Sequence, residues 1–362
     1  MRGPALFCAV VAFAPMAFAQ QLRSPEVHDD GGVTFRLASK TAESVSLRIN
    51  GATHPMEQKE EGIFQTTLEL PSGIHDYTFV VDGTQVLDLF NRNVKKWRQL
   101  ASMVEVPADP PALTEEQYVP HGVVHRHLYD STTTGAQRPL MIYTPPGYAS
   151  SPNAAYPVVY LLHGNGDDET AWTEVGRAHF IIDNMIAAGT IRPMIVAMPY
   201  GHPVPSPNGE RSRDYWEKNQ GAMADDLVNS VLPFVEKHYR ARPDSTARAI
   251  VGLSMGGGQS LDIGLKHTDK FAWIGAFSAA APRGDLADQY PAAKGPEPSV
   301  NRNLKLLWVA CGKDDFLLKI NTDFIAELDK NNIQHKWVES DGGHSWNVWR
   351  VYLPQFLDLV FE

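Results

Sequence analysis

Residues 250–259 read IVGLSMGGGQ, with Gly252 and Gly256 flanking Ser254 at the G-x-S-x-G spacing. The stretch follows the β-branched run ARAIV and precedes GQSLDIGL, whose apolar spacing is helical. A serine in a surface turn is ordinary. Here glycines relieve crowding on both sides of it, as a strand requires if it is to turn sharply into a helix and hold a hydroxyl above a sheet. The surrounding chain decides between turn and nucleophile.

Outward from this stretch, strand-like and helix-like runs alternate. RPLMIYTPP, YPVVYLLHG, PMIVAMPYG, ARAIVGLSMG, WIGAFSAA, LKLLWVACG and HKWVES read as strands, several apolar throughout, as in sheets covered on both faces. HFIIDNMIAAG, MADDLVNSVLPFVEKHY, GQSLDIGLKH, TDFIAELDKNN and the segment from Trp346 to Phe361 read as helices. The alternation predicts an α/β fold with a mostly parallel sheet over residues 119–362. From Val27 to Val106 the period is two, in GVTFRLAS, SVSLRIN, IFQTTLEL and HDYTFVVDG, and Asp82-Gly83 marks a hairpin. A small immunoglobulin-like antiparallel β-sandwich is expected over residues 20–106. Pro107, Pro110 and Pro111 cluster in residues 107–118, which read as a linker.

The 362 residues are 43% hydrophobic and 20% charged, an ordinary globular composition long enough for two domains. A formal net charge of −10 disfavours nucleic acid or an anionic membrane as a partner. Arg2, an apolar run and Ala17-Phe18-Ala19 form the pattern of a signal peptide over residues 1–19, so the protein is expected to be secreted or periplasmic, with no membrane span in the mature chain. Cys8 leaves with that segment, and Cys311 then reads as a small buried hydrophobe rather than a disulfide partner or zinc ligand.

A serine hydroxyl needs a base, and the base needs an orienting acid. Among the 13 histidines, His344 lies in the Gly-rich loop SDGGHSWNVW between the last strand and the last helix, where it can reach the top of the sheet. LLWVACGKDDFL supplies Asp314 and Asp315 at a strand's C-terminal end, and spacing leaves the choice between them open. The oxyanion donors expected are the amides of Met255, next to the nucleophile, and Asn165, in LLHGNGDDETAW. His163 in that loop reads as a structural hydrogen-bonding residue, and Trp346 and Trp349 as the core face of the last helix. No metal or organic cofactor is implied.

Together YLLHGNGDDETAW, RAIVGLSMGGGQSLDIGL, LWVACGKDDFL and GGHSWNVWRVYLPQF resemble carbohydrate esterase family 1, particularly its bacterial feruloyl esterases and the related enterochelin-esterase-like proteins. The resemblance implies an α/β-hydrolase fold, with nucleophile, base and acid falling on Ser254, His344 and Asp315 and the oxyanion amides on Asn165 and Met255. It implies hydrolysis of hydroxycinnamate esters on polysaccharides such as arabinoxylan. Acetylxylan esterase, siderophore or small-ester esterase, and a non-catalytic glycan-binding protein are the alternatives. The N-terminal segment resembles early-set modules akin to glycogen-binding modules; Trp97 is a candidate for sugar stacking, and a structural module that shapes the cleft of the following domain is the alternative. GHPVPSPNGERSRDYWEKNQ is expected to overlie the site as a loop, offering Tyr215 or Trp216 to the acyl ring.

Overall fold

The computed structural model describes residues 22–60, 62–96, 100–206 and 212–362. The expected signal peptide and Trp97 lie outside these. The chain divides into two compact units, the first containing the described residues up to Pro71 with His75–Asn93 and Ser102–Val106, the second Ser72–Ile74, Val94–Ala101 and Pro107–Glu362.

In the first unit, Gly32–Ala38 pairs antiparallel with Ile63–Glu69, and Val45–Ile49 with Gly73–Val81. These belong to different sheets, and Phe35 and Phe64 from one share a core with Leu47, Tyr77, Phe79 and Val104 from the other. Phe35 meets Tyr77 edge-on at 4.8 Å. Alternation along each strand places these rings on the inner faces, the geometry of a β-sandwich. Asp82 and Gly83 both have positive φ, 47° and 84°, in the two-residue turn between Val81 and Thr84, as a twisted hairpin requires.

The proline-rich stretch is more tied down than a linker. Glu115 Oε1 accepts the Ala108 and Ala112 amides, and the Asn184 side chain donates to the Leu113 and Glu115 carbonyls at 2.9 Å. Proline removes donors, but here side chains engage what remains.

The second unit is built on eight strands: β1 Val123–Ser131, β2 Ala136–Thr144, β3 Val158–Leu162, β4 Ile195–Pro199, β5 Arg248–Leu253, β6 Trp273–Phe277, β7 Leu306–Gly312 and β8 Lys336–Ser340. Their order is β1-β2-β4-β3-β5-β6-β7-β8, antiparallel from β1 to β4 and parallel thereafter. β3, β4, β5 and β6 are buried at every position, which explains their apolar sequences, broken only by Arg248 at the start of β5. The longer helices are α1 Ala178–Ala187, α2 Arg213–Asp226, α3 Met255–Lys266, α4 Leu318–Lys330 and α5 Trp346–Leu357. This is an α/β-hydrolase sheet. Among the described residues no helix is long and apolar enough to cross a membrane.

Two elements differ from the sequence expectation. β1 was not anticipated, because VVHRHLYDS carries histidines and an arginine on an edge strand with exposed positions. The expected loop over residues 201–220 is helical from Arg213, and α2 runs on through a π-helical turn, Leu227–Val231, into Leu232–His238. Ser212 caps its start by accepting the Tyr215 amide, and exposed pairs Arg213–Glu217 and Lys218–Asp214 stand one turn apart. A capped, charge-paired helix needs no wide apolar stripe, so periodicity did not reveal it.

Candidate active site

β5 ends at Leu253 and α3 begins at Met255, leaving Ser254 alone in the turn with φ 54° and ψ −114°. For a residue with a Cβ this conformation costs about 1–3 kcal/mol, and surrounding structure must hold it. The Ser254 amide donates to the Phe277 carbonyl at 2.8 Å, and its carbonyl accepts the Ala280 and Gly258 amides at 2.9 and 3.0 Å. The turn also presses the helix start against β3: a Cβ on Gly256 would lie 2.5 Å from the His163 oxygen, and one on Gly252 2.6 Å from Gly256. Only glycine fits there.

Ser254 Oγ lies 3.0 Å from His344 Nε2. His344 Nδ1 lies 3.0 and 2.9 Å from the two oxygens of Asp315, so the ring donates from Nδ1 and turns an acceptor toward the serine. The turn after β7, closed by the Asp315 amide on the Gly312 carbonyl at 3.1 Å, buries Asp315 and leaves Asp314 exposed. Burial alone would raise the Asp315 pKa, but hydrogen bonds from His344, the Leu317 amide at 2.8 Å and the Ser278 hydroxyl outweigh it and hold the carboxyl below its usual range.

Met255 opens α3, and the first amides of a helix have no intrahelical acceptor, so its N–H is directed out of the turn beside Ser254. Asn165 lines the same cavity as Ser254 and His344. Its loop is fastened by His163: the ring donates from Nδ1 to the Gly164 carbonyl at 2.8 Å and accepts the Gly201 amide at Nε2, also at 2.8 Å. His163 therefore shapes the loop.

The family model described as "Putative esterase" matches residues 131–359. The chain belongs to this esterase family. Curated proteins similar to it are named as feruloyl and acetyl esterases. It is 28% identical over 348 residues to the endo-1,4-β-xylanase/feruloyl esterase of Xylanibacter ruminicola, covering 93% of this chain and 46% of that protein, so it spans about half the relative's length. An acetyl esterase of Caldicellulosiruptor saccharolyticus is 26% identical over 54% of this chain and 79% of its own. Among solved structures, a ferulic acid esterase superposes with a TM-score of 0.55 at 26% identity, over 66% of this chain and 97% of its own. The enterobactin esterase of Shigella flexneri reaches 0.63 at 16% identity, over 90% and 92%, a likeness of fold.

Around the reacting atoms the esterase has a cavity of about 60 Å³, lined by Gly164, Asn165, Asp167, Leu253, Trp346 and Trp349 among others. The two tryptophans are buried, as the core face of α5 should be, and they also wall the site. Trp349 meets the His344 ring edge-on at 4.9 Å and donates from Nε1 to Ser278 Oγ at 3.0 Å. On the outer side Phe316 lies 4.5 Å from the His344 ring while 74% exposed.

Tyr215 and Trp216 do not line this cavity. Because residues 213–226 are helical, Tyr215 is buried with its hydroxyl 2.9 Å from His202 Nδ1, beside a separate cavity along Arg138, Tyr200 and His202. Sequence reasoning passed over Ser278, Asp167 and Phe316. The available signal was position: Ser278 follows β6, Phe316 adjoins Asp315, and Asp167 follows Asn165 by two residues, all at the C-terminal ends of strands where such sites form.

Proposed function

We propose that the protein is an exported serine esterase that releases hydroxycinnamoyl groups such as ferulate from plant cell-wall polysaccharides through an acyl-enzyme. The observation that carries the chemistry is the chain of contacts from Ser254 Oγ to His344 at 3.0 Å and on to Asp315 at 2.9 Å. Ser254 Oγ attacks the ester carbonyl as His344 Nε2 takes its proton, and the Met255 and Asn165 amides receive the developing oxyanion. His344 then gives the proton to the departing alcohol. Water, deprotonated by His344, attacks the acyl-serine and releases the acid.

The feruloyl assignment draws on the relatives named as feruloyl and ferulic acid esterases. Phe316 supports it, since an exposed ring beside His344 offers an aromatic acyl group a surface to stack on. A second reading, an acetyl group as the acyl part, is favoured by the small size of the cavity and by the relative named as an acetyl esterase. Rates on methyl ferulate, 4-nitrophenyl acetate and acetylated xylan separate the two, and fast deacetylation without ferulate release would sink the feruloyl reading. Ser254→Ala should lose at least 10³-fold in kcat without unfolding; retained turnover would remove Ser254 as nucleophile. Export rests on the Ala17-Phe18-Ala19 pattern, and the mass of the secreted chain, expected to begin at Gln20, tests it.

A further inference from the structure

The cavity at Ser254 holds a carboxyl that the triad does not use. Asp167 is only 7% exposed, and its Oδ1 is buried with no hydrogen-bond donor among the described residues. It lines the cavity with Ser254, His344 and Asn165. The point that a Cβ on Gly164 would occupy lies 3.5 Å from both Asp167 Oδ2 and Ser254 Cβ, so the two flank Gly164 on the cavity wall.

Local structure accounts for only part of this group: the Gly164 amide reaches the carboxyl, and Oδ1 is left over. The turn-forming work is done by its neighbour: Asp168 Oδ1 accepts the Thr170 amide at 2.9 Å and the Thr170 hydroxyl at 2.5 Å. A buried acceptor without a donor weakens the fold, and because the same carboxyl lines the cavity, a hydroxyl of a bound substrate is in a position to act as its partner. The facing charged and polar groups are Lys95, Asp168 and the Gly164 amide. Burial dominates over the opposing Lys95 charge, and with Asp168 it pushes the carboxyl up to about 7. Either protonation state can pair with a hydroxyl, the acid as donor or acceptor and the carboxylate as acceptor.

We propose that Asp167 hydrogen-bonds a hydroxyl of the bound ester and so selects hydroxylated substrates over analogues that lack the group. This rests on the reading of Ser254 as the nucleophile. Two sources present the same chemistry: the phenol of a hydroxycinnamoyl group and a sugar hydroxyl on the alcohol side. A site built around such a bond discriminates strongly, because the analogue leaves the buried partner unpaired.

The test measures kcat/KM of the full chain and of Asp167→Ala and Asp167→Asn on two matched pairs. The acyl pair is methyl 4-hydroxycinnamate against methyl cinnamate; the alcohol pair is methyl 2-O-acetyl-β-xylopyranoside against cyclohexyl acetate. Asp167→Ala should lose about 10- to 100-fold on the hydroxylated member of one pair and little on its partner, with Asp167→Asn largely rescued. The pair that shows the difference names the source. Equal loss on all four esters, or loss on none, in variants that still unfold cooperatively, overturns the proposal. Wild-type inactivity on both cinnamates would count against the feruloyl reading alone, since the acetate pair still decides the role of Asp167; turnover by Ser254→Ala would instead remove the nucleophile.

Discussion

Replacing Asp315 by Asn keeps the shape of the side chain and removes two things the structure shows it supplying. The first is tautomer control. Asp315 Oδ1 accepts the Leu317 amide at 2.8 Å while the carboxylate accepts His344 Nδ1–H. An amide that keeps its oxygen on Leu317 puts its NH₂ where the nearer carboxylate oxygen stood, 2.9 Å from Nδ1, which favours the tautomer protonated at Nε2, where the ring can no longer accept from Ser254. The flipped amide sets donor against donor at Leu317, at a cost of about 2 kcal/mol, or ~30-fold in the competent population. The second is charge. A carboxylate ~4 Å from the imidazolium that forms during attack contributes about 4 kcal/mol at an effective dielectric constant of ~20, or ~10³-fold. Together these predict a fall in kcat on the order of 10⁴-fold, of the size seen when a triad aspartate is replaced elsewhere. Steady-state hydrolysis of 4-nitrophenyl acetate at pH 7.5, with thermal unfolding as a fold control, reads it. A loss under about tenfold in a folded variant would refute the assignment of Asp315 as the orienting acid.

Three further expectations follow from buried groups. Ser278→Ala leaves the Trp349 Nε1–H without its acceptor and strips one donor from Asp315, so it should cost about 1–3 kcal/mol by urea unfolding; an unchanged midpoint would show that the hydroxyl is dispensable. Cys311 is fully buried, and burial, joined by the Asp315 charge, pushes its thiol up to about 12, so a disulfide-exchange reagent should label it only after unfolding, and rapid labelling of native protein would contradict that environment. Asp167 titrates at about 7 in the folded chain against a reference of 3.8. Between those values only the folded state keeps the proton, so wild-type stability falls as pH rises. Asp167→Asn does not titrate and should gain on wild type by about 1.4 kcal/mol per pH unit between pH 4 and 7, with no further change above pH 7; a stability difference flat across that window would place the carboxyl in water.

The parts of the site that were legible share a property: each is announced by residues close in sequence. Gly252, Ser254 and Gly256 describe their own turn, because the steric demands that a Cβ would violate lie within one strand-to-helix step. His344 is marked by the glycines of its loop, and the order serine, acid, histidine follows from the strand succession. Asp314 and Asp315 mark the limit. Both follow β7, and only the turn onto the Gly312 carbonyl decides which side chain faces inward. The helix from Arg213 escaped for a related reason, since its support comes from a cap and surface ion pairs rather than from an apolar stripe.

Ser278 and Asp167 were illegible because their roles depend on partners that the sequence does not place nearby. Ser278 Oγ meets Trp349 Nε1 across 71 positions, so its place between the last helix and the triad acid exists only in the assembled sheet. Trp346 and Trp349 make the converse point. Their periodicity predicted burial, and they are buried, yet the same residues wall the cavity beside Ser254. A site wall of this kind is core that lacks packing on one side, and periodicity cannot distinguish it from core that is packed all round. The residues proposed to execute the chemistry are therefore readable from local steric demand. Residues proposed to choose the substrate are instead marked by the polar atoms the fold leaves without a partner, and Asp167, which lines the cavity with Ser254, is where that reasoning can be tested.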